Sequence, residues 1–167
     1  AEDARRVTPP ENADLAFATQ TTLSVDDTAE IISILQFRFP EINGPRGEDI
    51  CYATTNRQNA VKHIAEHCDL VLVVGAENSS NSKRLVEVAL RGGAKASRLV
   101  ADRDAIDWAE VDRAVHIGLS AGASAPESLV MEIIDEMRER YDLQLDENAL
   151  VEETLTFKLP AILTGEA

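Results

Sequence analysis

The sequence has 167 residues, a length that suits one domain, or one domain and part of another. Hydrophobic residues account for 44% of the chain, which is enough for a self-supporting core. Thirty acidic residues against sixteen basic ones give a net charge of −14, which argues against a surface that binds nucleic acid or an anionic membrane.

The lack of a recognisable targeting signal in this sequence, together with its cysteine usage, predicts a cytoplasmic protein. No apolar run is long enough to span a bilayer, and no signal-peptide segment occurs at the start. Two cysteines do not make a disulfide framework. The opening AEDARRV is typical of the end of a helix and has no initiating Met, so we expect a further segment upstream.

Four segments share one organisation: an apolar strand-like run, a hydroxyl-rich loop and an amphipathic helix. The first, Leu15–Leu35, contains Ser24 and Asp27 at the spacing of a helix-capping signature. The second, Asp49–Cys68, has the weakest strand signal and follows the turn-rich GPRG of residues 44–47. Strands that alternate with helices predict an α/β fold with a parallel sheet flanked by helices.

The third segment begins with the apolar run Leu70–Val74 and reaches Gly75. Small polar residues follow from Asn78 to Ser82, and a helix then runs to the stop signal Gly92-Gly93. This order predicts free N–H groups and hydroxyls at a helix N-terminus, where a phosphate or diphosphate is favoured. The alternative is an ordinary helix cap, since Ser and Asn cap helices routinely.

The remaining sequence predicts further strands and helices. Ser97–Ala101 is a short apolar run, and Asp104–Val111 predicts one or two helical turns around Trp108. The fourth segment, Ala114–Tyr141, ends in a helix with a clear apolar face. The tail Glu153–Pro160 alternates apolar and polar residues as an edge strand does.

The hydroxyl-rich loops should meet at one edge of the sheet, because ligands of such sheets bind outside the carboxyl ends of the strands. This convergence favours an anion site over four independent caps. The loops contain residues 19–22, Cys51 with residues 54–56, residues 78–82, and Ser120 with Ser124.

Several single residues are open to more than one interpretation. Cys51 stands where a strand should meet a helix, which suits a metal ligand or nucleophile as well as an ordinary buried thiol. Cys68 follows the apolar face of its helix and should pack in the core. His63 and His67 should point into solvent, and His116 should be packed within a strand rather than act in catalysis.

Two positions with hydroxyl side chains, one at Ser124 and the other at the adjacent Thr21 and Thr22, have an ordinary structural explanation as well as a functional one. Ser124, Pro126 and Glu127 form a capping-box pattern with Ser124 at the N-cap. Thr21 and Thr22 end the first predicted strand, where β-branched residues are common. Both positions remain candidates because their loops face the predicted site.

Four strings occur together in one order: TQTTLSVDDT (residues 19–28), DICYATTNRQ (49–58), VVGAENSSNSKRL (73–85) and AGASAPESLV (121–130). In this order and spacing they resemble the LytB family, the 4-hydroxy-3-methylbut-2-enyl diphosphate reductases of the methylerythritol phosphate route to isoprenoids. The resemblance covers almost the whole chain but only about the C-terminal half of the family's length.

The resemblance implies an iron–sulfur enzyme that removes the hydroxyl of an allylic diphosphate and produces isopentenyl and dimethylallyl diphosphates. It implies that Cys51 is one of three thiolate ligands of a [4Fe–4S] cluster and that Thr21 binds the hydroxyl end of the substrate. It places Ser79, Ser80, Asn81 and Ser124 in the diphosphate pocket. A small electron-transfer protein such as ferredoxin or flavodoxin is the implied partner.

The family's other cluster cysteines, its substrate-binding histidines and its proton-donating glutamate match nothing in this sequence. The resemblance also implies that residues 1–48 are the C-terminal part of a middle lobe, that residues 49–150 are the last lobe of a three-lobed reductase, and that residues 151–167 are a tail with a short strand. We expect the chain alone to be inactive and to hold no stable cluster. The alternative function is a non-redox module that binds a diphosphate or another small anion in a regulatory or interaction role.

Overall fold

The computed structural model describes residues 1–45 and 49–147. These residues form six α-helices, three β-strands and one 3₁₀ turn. In chain order they are α1 (Glu2–Arg6), α2 (Val25–Arg38), α3 (Tyr52–Ala65), β1 (Leu70–Val74), α4 (Ser80–Arg91), β2 (Ala96–Val100), the 3₁₀ turn (Arg103–Ala105), α5 (Trp108–Val111), β3 (Ile117–Ala121) and α6 (Glu127–Arg140).

The three strands form a parallel sheet in the order β2-β1-β3. Leu70 of β1 is opposite Ala96 of β2 and Ile117 of β3, and the pairing continues to Val74. All five residues of β1 are buried, as expected for a strand covered on both faces. The predicted α/β fold with a parallel sheet is confirmed.

Helices cover both faces of this sheet. On one face, Val71 and Val73 of β1 pack with α3 and α4. On the other face, Leu70, Leu72 and Val74 pack with α5 and α6. The alternation of β1 side chains thus supplies two hydrophobic cores, one on each side of the sheet.

Local signals predicted the start of α2 and the end of α4. The Ser24 side chain caps α2 by accepting a hydrogen bond from the Asp27 N–H at 3.2 Å. Helix α4 ends at Gly92, and Gly93 has a φ of +107°, a conformation that glycine adopts without strain. Cys68 packs against the core, while His63 and His67 are exposed, as predicted.

The strands predicted for the first two segments were wrong within the described residues. Residues 15–17 make one isolated parallel bridge, between Ala16 and Asn43, and residues 49–51 lead directly into α3. A strand needs neighbours that extend the hydrogen-bonding ladder, and Asn43 gives Ala16 a single pairing position. The strand predicted at residues 153–160 lies outside the described residues.

The packed environment predicted for His116 was also wrong. Its side chain is 72% exposed, and the residue lies just before β3. The adjacent Ile117 points into the core, so alternation along the chain turns the imidazole outward.

No helix within residues 1–45 and 49–147 has the length and apolar character required to cross a bilayer.

Candidate functional site

Four of the predicted site residues lie at the carboxyl edge of the sheet: Ser79, Ser80 and Asn81 at the start of α4, and Ser124 in the loop between β3 and α6. The space between these two connections is called the crevice below. From β1 the chain passes through α4 to β2, which lies on one side of β1. Strand β3 lies on the other side of β1. The gap between the β1–α4 and β3–α6 loops is therefore a topological switch point, where ligands of parallel α/β sheets bind.

Two glycines bring these loops together. The Gly75 N–H donates to the Val100 carbonyl at 2.9 Å, and the Gly122 N–H donates to the Val74 carbonyl at 2.8 Å. A Cβ at either position would collide with the Ser82 side chain. Both loops therefore need glycine to close around Ser82, a requirement that local sequence patterns did not reveal.

The N-terminus of α4 opens onto this crevice. Ser79 is the N-cap, and its Oγ accepts a hydrogen bond from the Ser82 N–H at 3.2 Å. Ser80 is exposed at the first helical position. The first turn of α4 contains no acidic residue, although the chain is strongly acidic. No carboxylate within that turn offsets the positive end of the helix dipole, which favours an anion.

Asn81 provides the most direct indication of a ligand. Its side chain is only 7% exposed, and neither amide atom has a hydrogen-bond partner within the described residues. A buried polar group without a partner costs about 1–3 kcal/mol, so native proteins rarely leave one unsatisfied. The amide therefore lacks hydrogen bonds that a bound water or ligand would supply.

The capping box predicted at Ser124 was wrong. The N-cap of α6 is Pro126, and no side chain caps this helix. The Ala125 N–H instead donates to the Gly122 carbonyl at 3.0 Å, in a tight turn that keeps Ser124 exposed and ahead of the helix. The Ser124 hydroxyl makes no hydrogen bond within the described residues, so it remains available to a ligand at the crevice.

Thr21 and Cys51 form a second group. The Cys51 N–H donates to the Thr21 carbonyl at 3.3 Å, and both residues are exposed. Cys51 is the N-cap of α3, but its thiol makes no capping hydrogen bond. This helix also begins without an acidic residue, and it packs against α4, which carries Ser79 and Asn81.

Gln58 lies on the buried side of α3 and connects this helix, whose N-cap is Cys51, to the loop that contains Thr21. It is 0% exposed, its Oε1 accepts from the Val25 N–H at 3.0 Å, and its Nε2 donates to the Leu23 carbonyl at 2.8 Å. Sequence reasoning missed this residue. Its spacing of three and seven residues from the core positions Val61 and Ala65 was the available signal.

The described residues do not contain a complete metal centre. Within the part of the chain that the structure describes, no group of three or more His, Cys, Asp or Glu residues could hold a metal ion. Burial, followed by the charge of Asp69, raises the pKa of the Cys68 thiol, in keeping with a packing role. Cys51, the other thiol of the described residues, is exposed.

Comparisons with known proteins give a consistent result. The family model described as LytB protein matches residues 1–138. The 4-hydroxy-3-methylbut-2-enyl diphosphate reductase of Hyphomonas neptunium is 56% identical over 98% of the chain, and that of Gluconobacter oxydans is 55% identical over 99%. The Plasmodium falciparum E-1-hydroxy-2-methyl-but-2-enyl-4-diphosphate reductase structure superposes with a TM-score of 0.85 at 34% identity and covers 98% of the chain.

The chain spans about half the length of these relatives: 52% of the Hyphomonas protein, 49% of the Gluconobacter protein and 52% of the Plasmodium chain. The family match covers more than half of the chain, and it includes every residue assigned above to the crevice and to the Thr21–Cys51 pair. The chain belongs to the LytB protein family.

Proposed function

We propose that this chain forms the C-terminal half of a reductase that converts 4-hydroxy-3-methylbut-2-enyl diphosphate to isopentenyl and dimethylallyl diphosphates. The observation that carries the proposal is the buried, unpartnered amide of Asn81 beside Ser79, at the switch point of a parallel sheet. The names of the relatives support the same substrate.

The crevice residues bind the diphosphate in this proposal. The Ser79, Ser80 and Ser124 hydroxyls and the Asn81 amide donate hydrogen bonds to its oxygens, and the first N–H groups of α4 add to them. Hydrogen bonds to a charged group are stronger than those between neutral groups. No basic side chain of this chain is required, which suits a protein with a net charge of −14.

Cys51 and Thr21 serve the reacting end of the substrate. Cys51 is exposed and its thiol is not used in capping, so it fits as one ligand of a [4Fe–4S] cluster. Thr21 lies beside it and hydrogen-bonds the substrate hydroxyl. With the cluster bound, two electrons and two protons remove that hydroxyl as water.

The remaining active-site groups come from the N-terminal half of the relatives, including the other cluster thiolates and the proton-donating glutamate. Residues 1–48 complete a middle lobe, and residues 49–150 form the last lobe. A small cytoplasmic electron-transfer protein such as ferredoxin or flavodoxin supplies the electrons. The chain alone is inactive and holds no stable cluster, because one thiolate cannot retain four irons.

A chimera tests this proposal. The segment of the Hyphomonas neptunium reductase that precedes its match to this chain is fused to the 167 residues, and the protein is purified without oxygen. We expect iron and sulfide to bind, and the allylic diphosphate to be reduced when a reduced viologen dye supplies electrons. The chain alone should do neither.

Cys51→Ser in the chimera is the decisive variant, and Cys68→Ser is its matched control. Loss of iron and of turnover with Cys51→Ser, but not with Cys68→Ser, is the expected result, because only Cys51 is exposed beside Thr21. A Cys51→Ser chimera that retains its cluster would show that Cys51 is not a ligand.

A non-redox anion-binding module is the second candidate function. One observation favours it: the proposed anion-binding groups lie within this chain, whereas the described residues offer no set of metal ligands. Diphosphate binding by a chimera that holds no cluster and reduces no substrate would support this candidate over the reductase. Unchanged diphosphate affinity after Cys51→Ser would agree with it.

A further inference from the structure

We propose that Ser82 is a positioning residue that orients the Ser79 hydroxyl as a hydrogen-bond donor into the crevice, so that the site selects ligands with acceptor oxygens. The inference rests on the anion site proposed above and deepens it. Ser82 does not contact the ligand in this arrangement, because its side chain is enclosed between two loops and α4.

The hydrogen bonds at Ser79 carry the first step of the argument. Ser79 Oγ accepts from the Ser82 N–H at 3.2 Å, and the Ser82 hydroxyl oxygen lies 3.0 Å from it, a distance at which the proposal has that hydroxyl donate to Ser79 as well. A serine oxygen has two lone pairs and one proton. With both lone pairs occupied by Ser82, the remaining capacity of Ser79 is its own O–H, which can only donate.

The packing around Ser82 explains why this arrangement persists. Ser82 is 1% exposed, and its side chain fills the space that a Cβ at Gly75 or Gly122 would occupy. A Cβ at Gly75 would lie 2.7 Å from Ser82 Cβ. The two glycines, one after β1 and one after β3, therefore enclose the Ser82 side chain beside Ser79.

A fixed donor suits the proposed ligand. A diphosphate oxygen accepts hydrogen bonds and cannot donate when it is deprotonated. An N-cap serine without Ser82 could turn its proton elsewhere and present a lone pair, which would repel the anion. Orientation by Ser82 removes that alternative before the ligand arrives, and pre-organisation of this kind raises affinity by lowering the cost of ordering the site.

A double-mutant cycle tests the role of Ser82. Inorganic diphosphate is titrated calorimetrically into the 167-residue chain and into its Ser79→Ala, Ser82→Ala and doubly substituted variants. We expect Ser79→Ala to weaken binding about tenfold or more. Ser82→Ala should weaken binding several-fold when Ser79 is present and have little effect when Ser79 is alanine, since it acts through that hydroxyl.

Two further variants make the result specific. Ser82→Cys keeps a similar shape with a weaker donor, so it should give a smaller loss that also depends on Ser79. Ser33→Ala removes a hydroxyl that hydrogen-bonds the Ala29 carbonyl within α2 and should leave the affinity unchanged. Circular dichroism and thermal unfolding confirm that each variant is folded.

The outcomes separate this inference from the proposed function. An equal loss from Ser82→Ala in both backgrounds would overturn the positioning role and leave the diphosphate site intact. Unchanged affinity for Ser79→Ala would overturn the inference and remove Ser79 from the proposed diphosphate site, while the proposed function would still rest on Asn81. A loss from Ser82 substitution that disappears without Ser79 supports the inference.

Discussion

Asp69 connects three parts of the fold at the start of β1. Its carboxylate accepts hydrogen bonds from Lys95 Nζ at 2.6 Å, the Val115 N–H at 2.9 Å and the His116 N–H at 3.0 Å. The Lys95 hydrogen bond, followed by the backbone donors of His116 and Val115, holds the pKa of Asp69 well below its usual value of 3.8. One side chain thus ties the loop before β2 and the loop before β3 to β1.

Asp69→Asn should reduce stability in a way that depends on pH. The ionised carboxylate is favoured by folding, so its contribution is fully present above pH 3.8 and is lost as the pH falls towards the lower folded-state pKa. The difference in unfolding free energy between the parent chain and Asp69→Asn should therefore be largest at neutral pH and shrink below about pH 4. Urea unfolding between pH 7 and pH 2.5 measures it.

Asp142→Asn is the matched control for this experiment. Asp142 is exposed and makes no hydrogen bond or ion pair within the described residues. Its substitution should change stability little across the same range. A pH-independent difference for Asp69→Asn would show that the ionised form is not what stabilises the fold.

At the scale of elements, Gln58 sets the start of α2 relative to α3. The amide satisfies the first N–H of α2, at Val25, and the carbonyl of Leu23 in the preceding loop. The same loop contains Thr21, whose carbonyl accepts from Cys51 at the start of α3. Two residues of the proposed active site are therefore held together by a glutamine two helical turns away from Cys51.

Gln58→Leu should destabilise the chain by about 1–3 kcal/mol for each backbone group left buried without a partner. Asn59→Leu on the exposed side of α3 is the control and should change stability by no more than about 0.5 kcal/mol. Urea denaturation measures both. Equal stability of the two variants would mean that water replaces the Gln58 hydrogen bonds at no cost.

At the scale of the whole molecule, stability comes from two separate cores on either side of one sheet. Leu85 of α4 is fully buried on one face, and Ile133 of α6 is fully buried on the other. Phe37 of α2, in contrast, is 88% exposed. Large apolar residues therefore contribute to this fold according to position rather than to hydrophobicity alone.

Leu85→Ala and Ile133→Ala should each lower the unfolding free energy by about 2–5 kcal/mol, because each substitution removes buried methyl groups and leaves a cavity. Phe37→Ala should change it by no more than about 0.5 kcal/mol. Chemical denaturation of the 167-residue chain checks all three variants. A small effect at either Leu85 or Ile133 would contradict burial of β1 on both faces.

Features that depend on residues close together in the chain were predictable from the sequence alone. The apolar run Leu70–Val74 specified a doubly buried strand, Ser24 specified a helix start, and Gly92-Gly93 specified a helix end. The four family strings were sufficient to recognise the family that the comparisons establish. Capping, helical periodicity and turn chemistry act over a few residues, so a single sequence contains them in full.

Which apolar runs became strands, and what the polar side chains contact, depended on partners distant in the chain. Ala16 did not become part of a strand because Asn43 offers it one pairing position. Ser124 does not cap α6 because the turn that begins at Gly122 moves the helix start to Pro126. Gln58 hydrogen-bonds the loop before α2, and Ser82 is enclosed by glycines that follow β1 and β3. Such long-range contacts leave no local pattern in the sequence.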